Sequence, residues 1–569
     1  MTVDSVSPLP NDPLLVRLLT AANQTPVSRI VVHDAYGYEK TYLQLLADIL
    51  YMCSLLKQRL VASTTTCNGL LEDDSRYIGI ISKSGYEFLV LFFAIRSIGG
   101  TPILLSSGIL PAEAYYLLSK ADARCICASR DCLEKAGDIA AYMNKQSSSE
   151  FFSLQASCNA EALRSMASVR IDDALHVAAD GPGAVLFTSG TTGRPKMVVL
   201  PRQCFAYPEL AEPGSATINY RPIHWIGGAR CLLEAIVTGV KLFTLEEKSA
   251  SVSILETFRN HRITHMSFSP MTLRRLKLAV ISSMEKDPQA DYTSLFSGLS
   301  KIKCGGSMVE SSTMEFWSKL TGRPVEIFYS ATELGGPSIK GIPIMASSIG
   351  NPSPDVKVKL SQGDHGEILI KSPRMFTHYL GDEKITGQAF DEEGYYRTGD
   401  LAELKDGEYI FCGRANSDFI IYRFSKIPAL QVESSLLDLP YISEACVLGI
   451  PHTVAKELCG VIIRFHPDCN TPPDQMTFAK IRSDLAKTLP TYMLPTLLRI
   501  LKDDETLPLT SIGKPIKNEI RRDFFKTTNW WPIENPPSDV AYWSNKAITA
   551  IGEKDLQRPW DWCGQQMAD

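Results

Sequence analysis

Long apolar runs are missing from this chain. Its most hydrophobic stretch, Phe88–Ile95, is closed by Arg96, far short of the roughly 20 apolar residues that a helix needs to cross a bilayer, so no membrane span is expected. Blocks of one charge are missing too. The 58 basic and 63 acidic residues, net −5, are interspersed, which speaks against nucleic acid or an anionic membrane as a partner. Fourteen cysteines occur, yet no two stand in C-x-x-C spacing and none has a histidine at a zinc-like interval. Neither a metal framework nor a disulfide scaffold is indicated, and buried thiols in a reducing compartment are expected. The N-terminal MTVDSVSPLPNDPLL lacks the basic start and apolar core of a secretory signal, and the C-terminal QQMAD is not the peroxisomal tripeptide. A cytoplasmic location is the resulting expectation.

What is present is an ordinary globular composition, 44% apolar and 21% charged over 569 residues, too long for one hydrophobic core. Helix-like and strand-like stretches alternate from residue 41 onward. Thr41–Leu60 has helical periodicity, Tyr77–Ile81 reads as a strand, Gly85–Ile98 as a helix, Thr101–Leu105 as a strand, Pro111–Ser119 as a helix and Ala123–Ala128 as a strand. That alternation predicts a parallel sheet with helices on its faces. Residues 1–30 read as a loosely structured lead-in, and 144–160 as a polar surface loop.

The stretch that organises the rest is Ala184–Leu200, AVLFTSGTTGRPKMVVL. An apolar run reads as a strand; Thr188, Ser189, Gly190, Thr191, Thr192 and Gly193 form a hydroxyl- and glycine-rich loop; Pro195 and Lys196 lead into a second apolar run. Glycines let the backbone approach a polyanion, hydroxyls and amides donate to its oxygens, and the lysine supplies compensating charge. A flexible linker shares the composition but has no reason to lie between two strands or to end in Pro-Lys. The pattern GxxxxGK[ST] cannot be read in it. TSGTTGRPK resembles the phosphate loop of the adenylate-forming enzymes: acyl- and aryl-CoA ligases, luciferases and peptide-synthetase adenylation domains.

Further stretches carry the same resemblance, in the family's order. Ile327–Gly335, IFYSATELG, resembles the YGxTE motif with Ser330 in the glycine position. The resemblance implies Tyr329 against adenine, Thr332 at the α-phosphate and Glu333 on a magnesium ion. Tyr395–Leu401, YYRTGDL, implies that Asp400 holds the ribose hydroxyls, and Gly413-Arg414 opens the hinge with Arg414 among the nucleotide-binding residues. Leu507–Lys514, LPLTSIGK, implies that Lys514 reaches from a small domain to the reacting carboxylate and α-phosphate. His224 and Trp225 in NYRPIHWIGG, and Gly305 and Gly306 in IKCGGSM, fall where the family lines its acyl pocket. Glycine suits that place because a side chain would fill space the ligand needs. His224, Thr332 and Lys514 are the expected catalytic groups.

The resemblance covers residues 35–525 and is greatest to a stand-alone acyl-CoA ligase of the kind used in fungal secondary metabolism. It implies an α/β fold: a large N-terminal domain, 1–415, of two doubly wound α/β subdomains plus a β-barrel-like part, then a small α+β C-terminal domain, 416–525, that swings between two half-reactions. Residues 526–569 would form an extension holding Trp530, Trp531, Trp543, Trp560 and Trp562. The implied reaction uses ATP and Mg2+ to convert a small-molecule carboxylic acid to acyl-AMP, then transfers the acyl group to CoA. Amino-acid-activating members place an aspartate near the acyl pocket, and none occurs from Asn219 to Glu234, so the expected acid lacks an α-amino group. Loading of a separate carrier protein, transfer to an amine or alcohol, and a non-catalytic nucleotide-binding role stay open. The departures are Met197 for the glycine after the loop lysine, and Asn416 and Phe424 in a hinge segment one residue longer than in many CoA ligases.

Overall fold

The computed structural model describes residues 7–60, 69–72, 76–147, 150–188, 195–206, 209–246, 251–287, 291–345, 347–414, 419–422, 425–452, 455–467, 476–509, 515–527 and 536–543. Two sheets enclose a layer of helices. The first runs His378–Tyr379, Lys196–Pro201, Pro182–Thr188, Thr101–Leu105, Tyr77–Ile81, Cys125–Ala128, Phe152–Gln155 in hydrogen-bonded order. Its last five strands are parallel, and the first two continue it antiparallel. The second sheet has a parallel half, Val32–Asp34, Lys241–Thr244, Ala216–Asn219, His265–Phe268, Lys301–Gly305 and Val325–Ala331. The β-rich region joins it edge to edge through Gly336–Gly341, Ser348–Pro352, Glu408–Arg414, Tyr396–Lys405, His365–Lys371 and Lys357–Leu360. A third, six-stranded sheet includes Phe419–Tyr422.

The helices between the two large sheets explain the most apolar part of the sequence. Tyr86–Ser97 is buried on every side and packs against Tyr42–Arg59 and the Thr101–Leu105 strand. Thr41 and Gln44 close a capping box at the start of Tyr42–Arg59, satisfying two orphan donors reciprocally. Tyr42 Oη donates to the Ile236 carbonyl at 2.5 Å, tying this helix to Ile226–Thr238, which lies along the second sheet.

The expected lead-in is instead a structured piece of the core. Ser7–Asn11 forms a strand with Val169–His176, and Pro13–Gln24 is a helix that buries Leu14, Leu15, Leu18 and Leu19. Asp12 caps it by accepting from the amides of Leu14 and Leu15 at 2.9 and 3.4 Å, and Pro13 supplies a helical φ without losing a needed donor. Asp12 also receives Arg96 at 2.6 Å and Arg202 at 2.7 Å, with all three side chains buried. Burial alone would raise its pKa; the two guanidinium groups outweigh that and hold it below the usual carboxylate range. The arginines then bond the carbonyls of Gly183 (2.9 Å) and Gly100 (3.0 Å). A Cβ at Gly183 would lie 2.5 Å from the Arg202 Cα, so only glycine lets this cluster clamp the base of the hairpin that carries the phosphate loop.

Two other readings change. The polar 144–160 segment contains an edge strand, Phe152–Gln155, after a turn closed by the Asn144 side chain on Phe151. Within the stretch read as an extension, Val540–Tyr542 adds a strand to the small sheet beside Leu497–Ile500. Trp543 packs edge-on to Phe478 at 5.8 Å and lies under Arg482 at 4.7 Å. No disulfide forms among the described residues, and none of their helices is long and apolar enough to cross a membrane.

Candidate active site

The phosphate-loop hairpin pairs Thr188 with Lys196 across its open end. Loop residues Ser189, Gly190, Thr191, Thr192 and Gly193 lie outside the described residues, as do Asn416, Phe424, Lys514, Trp530, Trp531, Trp560 and Trp562. Met197 is buried in the hairpin, opposite Phe187 and beside Val185 and Val199, where a side chain adds packing that glycine would not. Beyond the hairpin, the Leu380 amide donates to the Met197 carbonyl at 2.9 Å. This bond seats the short His378–Tyr379 strand next to Lys196.

Glu333 follows the Val325–Ala331 strand in a tight turn. A register shift falls between Tyr329 and Ser330, and such a bulge re-aims the residues after it. The turn is held from three sides: the Phe376 amide donates to the Glu333 carbonyl at 2.7 Å, and the Gly335 carbonyl accepts from Arg230 Nη1 at 3.2 Å and from the Cys204 thiol at 3.4 Å. The Glu333 carboxylate is buried and accepts from Tyr379 Oη at 3.0 Å. Burial raises its pKa, opposed by the Tyr379 hydrogen bond and the charges of Lys196 and Arg414. Lys196 Nζ lies 4.8 Å from the centre of the Tyr379 ring, a cation–π distance. Thr332 sits at the start of the same turn, its carbonyl accepting from the Gly335 amide at 3.1 Å.

Asp400 lies on Tyr396–Lys405, where Gly399 adopts a φ of 72°. Glycine takes that conformation without steric cost, and the Glu367 carboxylate accepts its amide at 2.9 Å. Both Asp400 oxygens are engaged, Oδ2 by Tyr329 Oη at 2.5 Å and Oδ1 by Arg414 Nε at 2.8 Å. Burial and the Asp400 charge push the Tyr329 phenol well up, so it donates as a neutral hydroxyl. Lys196, Tyr329, Glu333, Asp400 and Arg414, drawn from four separate stretches, are thereby linked into one cluster beside the carboxyl end of the parallel strand Val325–Ala331, the end at which open α/β sheets bind ligands.

The expected acyl side lies between the first turn of Ile226–Thr238 and the end of Lys301–Gly305. His224 and Trp225 precede the helix with their rings perpendicular at 6.0 Å. The Trp225 Nε1 is buried without a hydrogen-bond partner. Gly305 and Gly306 differ. A Cβ at Gly305 would come within 2.6 Å of the Phe328 ring, so this glycine makes room for a neighbouring strand and not, as the sequence reading had it, for ligand. Gly306, with a φ of 93°, faces open space. Glu234, the first acid after Asn219, is bound by Arg230 at 3.4 Å.

Sequence reasoning missed Tyr379 and Arg230. Tyr379 sits on a two-residue strand, too short to show a period, and Arg230 acts across 105 residues of chain. The nearest signal was the excess of aromatics around Phe376–Tyr396, which close as stacked and edge-on rings only in the folded chain.

Comparison with known proteins gives the same picture. Residues 18–380 match the family of AMP-binding enzymes, and residues 431–514 match the AMP-binding enzyme C-terminal domain. The acyl-CoA ligase oryP of Aspergillus oryzae is 30% identical over 92% of this chain and 94% of its own. A malonate–CoA ligase of Arabidopsis thaliana is 27% identical over 78% and 77% of the two chains. Among solved structures, ATP-bound MatB from Rhodopseudomonas palustris superposes with a TM-score of 0.71 at 20% identity, covering 90% of this chain and 99% of that one. The anthranilate CoA ligase AuaEII with anthranoyl-AMP gives 0.73 at 18% identity over 90% and 97%; both share the fold. The chain belongs to the AMP-binding enzyme family, as an adenylate-forming, acyl-CoA-ligase-like member.

Proposed function

We propose that this site activates a carboxylic acid lacking an α-amino group as acyl-AMP and then passes the acyl group to CoA. The convergence of Lys196, Tyr329, Glu333, Asp400 and Arg414 carries the reading, because these groups match a nucleotide triphosphate part by part. The hydroxyl- and glycine-rich loop and Lys196 bind the β- and γ-phosphates. Asp400, with four lone-pair directions and two already used, has acceptor capacity left for the ribose hydroxyls. The Tyr329 hydroxyl is tied to Asp400, which fixes its ring as a flat face for adenine.

A magnesium ion fits the donor present. Glu333 offers one buried hard carboxylate, positioned by Tyr379, and magnesium bound with nucleotides takes the rest of its shell from water and phosphate oxygens. Bound there, the ion supplies charge neutralisation on the phosphates.

A carboxylate is a poor acyl donor, so the first step makes it a mixed anhydride. One substrate oxygen bonds to the α-phosphorus as the bond to the pyrophosphate oxygen breaks. In the second step the CoA sulfur bonds to the acyl carbon, AMP leaves, and the thiol proton goes to solvent. The protein contributes position and fixed charge: Thr332 donates at the α-phosphate, His224 lies at the mouth of the acyl pocket, and Lys514 balances charge developing between carboxylate and phosphorus. Lys514→Ala is expected to cut acid-dependent pyrophosphate release about 100- to 1,000-fold while ATP binding, measured by calorimetry, stays near wild type. Pyrophosphate release near wild type in that variant overturns the role of Lys514. Acyl-AMP that turns over onto a carrier protein and never onto CoA overturns the choice of acceptor.

A further inference from the structure

One cation beside the expected acyl side has no ion-pair partner among the described residues. Arg221 follows the Ala216–Asn219 strand, and its main chain is fixed: the carbonyl accepts from Ser84 Oγ at 2.7 Å and from Asn219 Nδ2 at 3.1 Å. From that anchor the side chain passes the Tyr220 ring, with Cζ 5.8 Å from its centre, toward the first turn of Ile226–Thr238. Nη1 stands 3.1 Å from where a Cβ would lie at Gly227. The guanidinium therefore occupies the room that this glycine leaves open. Its field reaches the Cys231 thiol on the helix and the Cys304 thiol just before Gly305. Arg221 thus lies between the two elements that carry His224, Trp225 and Gly306.

Among the described residues no carboxylate pairs with it, and the Cys231 thiol that its side chain hydrogen-bonds brings no compensating charge. Arg221 Nε is fully buried with no hydrogen-bond partner. The nearby carboxylates have other arginines: Glu234 is bound by Arg230 at 3.4 Å, and Glu310, beyond Cys304, lies in the field of Arg274. The neighbouring Trp225 Nε1 is a second buried donor without an acceptor. The helix they adjoin has no side-chain cap and no acid in its first turn, leaving its positive end uncompensated. Arg221 is partly exposed with its Nε buried, a placement that is costly for a cation left unpaired, and a guanidinium pairs best with a planar carboxylate.

We propose that Arg221 binds a second carboxylate on the substrate, so that the acid this protein activates is a dicarboxylic acid. The inference rests on the adenylation reading and adds the substrate class. One carboxylate goes to the α-phosphate; the other fills the acceptor place that Arg221 and Trp225 leave open. A monoester of the same length would leave the guanidinium without its anion and the buried Nε without an acceptor, which is why the discrimination is large.

The test uses the full-length protein and the series from malonate to suberate with the benzene dicarboxylates, each beside its monomethyl ester. Pyrophosphate release with MgATP is measured for wild type, Arg221→Met and Arg221→Lys, and binding of each acid is measured by calorimetry with AMP present. For at least one diacid, wild type is expected to show kcat/KM about 100-fold or more above that of the monoester. Arg221→Met abolishes that preference mainly through KM, Arg221→Lys restores part of it, and the KM for ATP holds in both. A wild type that favours monoesters, an Arg221→Met variant that weakens diacid and monoester alike, or failure of every diacid to bind overturns the proposal. Diacid binding that depends on Arg221 but yields no pyrophosphate keeps this assignment and overturns the adenylation reading instead.

Discussion

Asp12 and Asp400 are both gripped by arginine, at 2.6 and 2.8 Å, but their settings differ. Asp12 and its two partners are sealed from water, and nearly every polar direction of the cluster ends on protein: two helix amides, two guanidinium groups and the carbonyls behind them. Arg414 is 44% exposed, and Asp400 beneath it has acceptor capacity to spare. The first cluster is closed because it holds the base of the phosphate-loop hairpin against the N-terminal helix. In the proposed function, the second keeps its remaining valence for a ligand. The same residue types therefore separate into stability and function according to what is left unsatisfied.

Removing the closed cluster's anion is the largest expected effect. Asp12→Ala leaves two buried guanidinium groups facing each other and is expected to cost about 3–5 kcal/mol of stability, read as a lower urea midpoint at unchanged m-value. The activity of the molecules that remain folded should be near wild type. The cluster also sets a pH dependence. Because the folded-state pKa of Asp12 lies below its ordinary 3.8, its contribution is complete above that value and is lost as pH falls through the lowered one. An Asp12→Asn variant lacks this part of the acid sensitivity. A stability loss within about 1 kcal/mol for Asp12→Ala, the scale of an exposed pair, removes the distinction drawn here.

Asp400→Ala is expected to do the opposite. Its pair with the half-exposed Arg414 is worth about 1 kcal/mol or less to the fold, and the Tyr329 hydroxyl loses its acceptor at a cost of about 1–3 kcal/mol, so the stability loss should stay below that of Asp12→Ala. ATP binding by calorimetry should weaken about 10- to 100-fold, as the loss of charge-assisted hydrogen bonds to two ribose hydroxyls implies. A variant that melts much earlier yet binds ATP normally would place Asp400 with Asp12 as a structural residue.

How much of this was legible in the sequence follows the same division. The proposed nucleotide site was legible because a nucleotide imposes contiguous chemistry: the Thr188–Lys196 stretch, YSATE and RTGDL each gather their candidate groups within a few residues. The closed cluster was not. Asp12 stands in a Pro-rich segment that reads as loose, and its partners come from 84 and 190 residues away, so no local pattern marks it. Gly305 shows the limit from the other side. A glycine pair signals space, but only the neighbouring strand reveals that Phe328 takes the space at Gly305 while Gly306 keeps it. The fold class was readable from the alternation between Thr41 and Ala128, whereas the edge strands Phe152–Gln155 and Val540–Tyr542 lie in polar segments where pairing, not periodicity, makes the strand.

The smallest expected effect tests how finely the open site is tuned. Glu333 is buried and its pKa is raised, and the Tyr379 hydroxyl is one of the groups that pull it back down by donating to the ionised form. Tyr379→Phe removes that donor and keeps the ring over which Lys196 lies. Loss of a hydrogen bond to the charged form raises a carboxylate pKa, so Glu333 should protonate at a higher pH than in wild type. If the ionised carboxylate is the form that serves MgATP, the acid limb of kcat/KM for pyrophosphate release moves up in pH, by about one unit for about 1.4 kcal/mol of lost hydrogen bond. The plateau at high pH should change little, because there Glu333 is ionised in both proteins. A uniform fall at every pH, with the limb unmoved, would mean that Tyr379 shapes the site without tuning Glu333. The contrast with Asp12 would then rest on exposure alone.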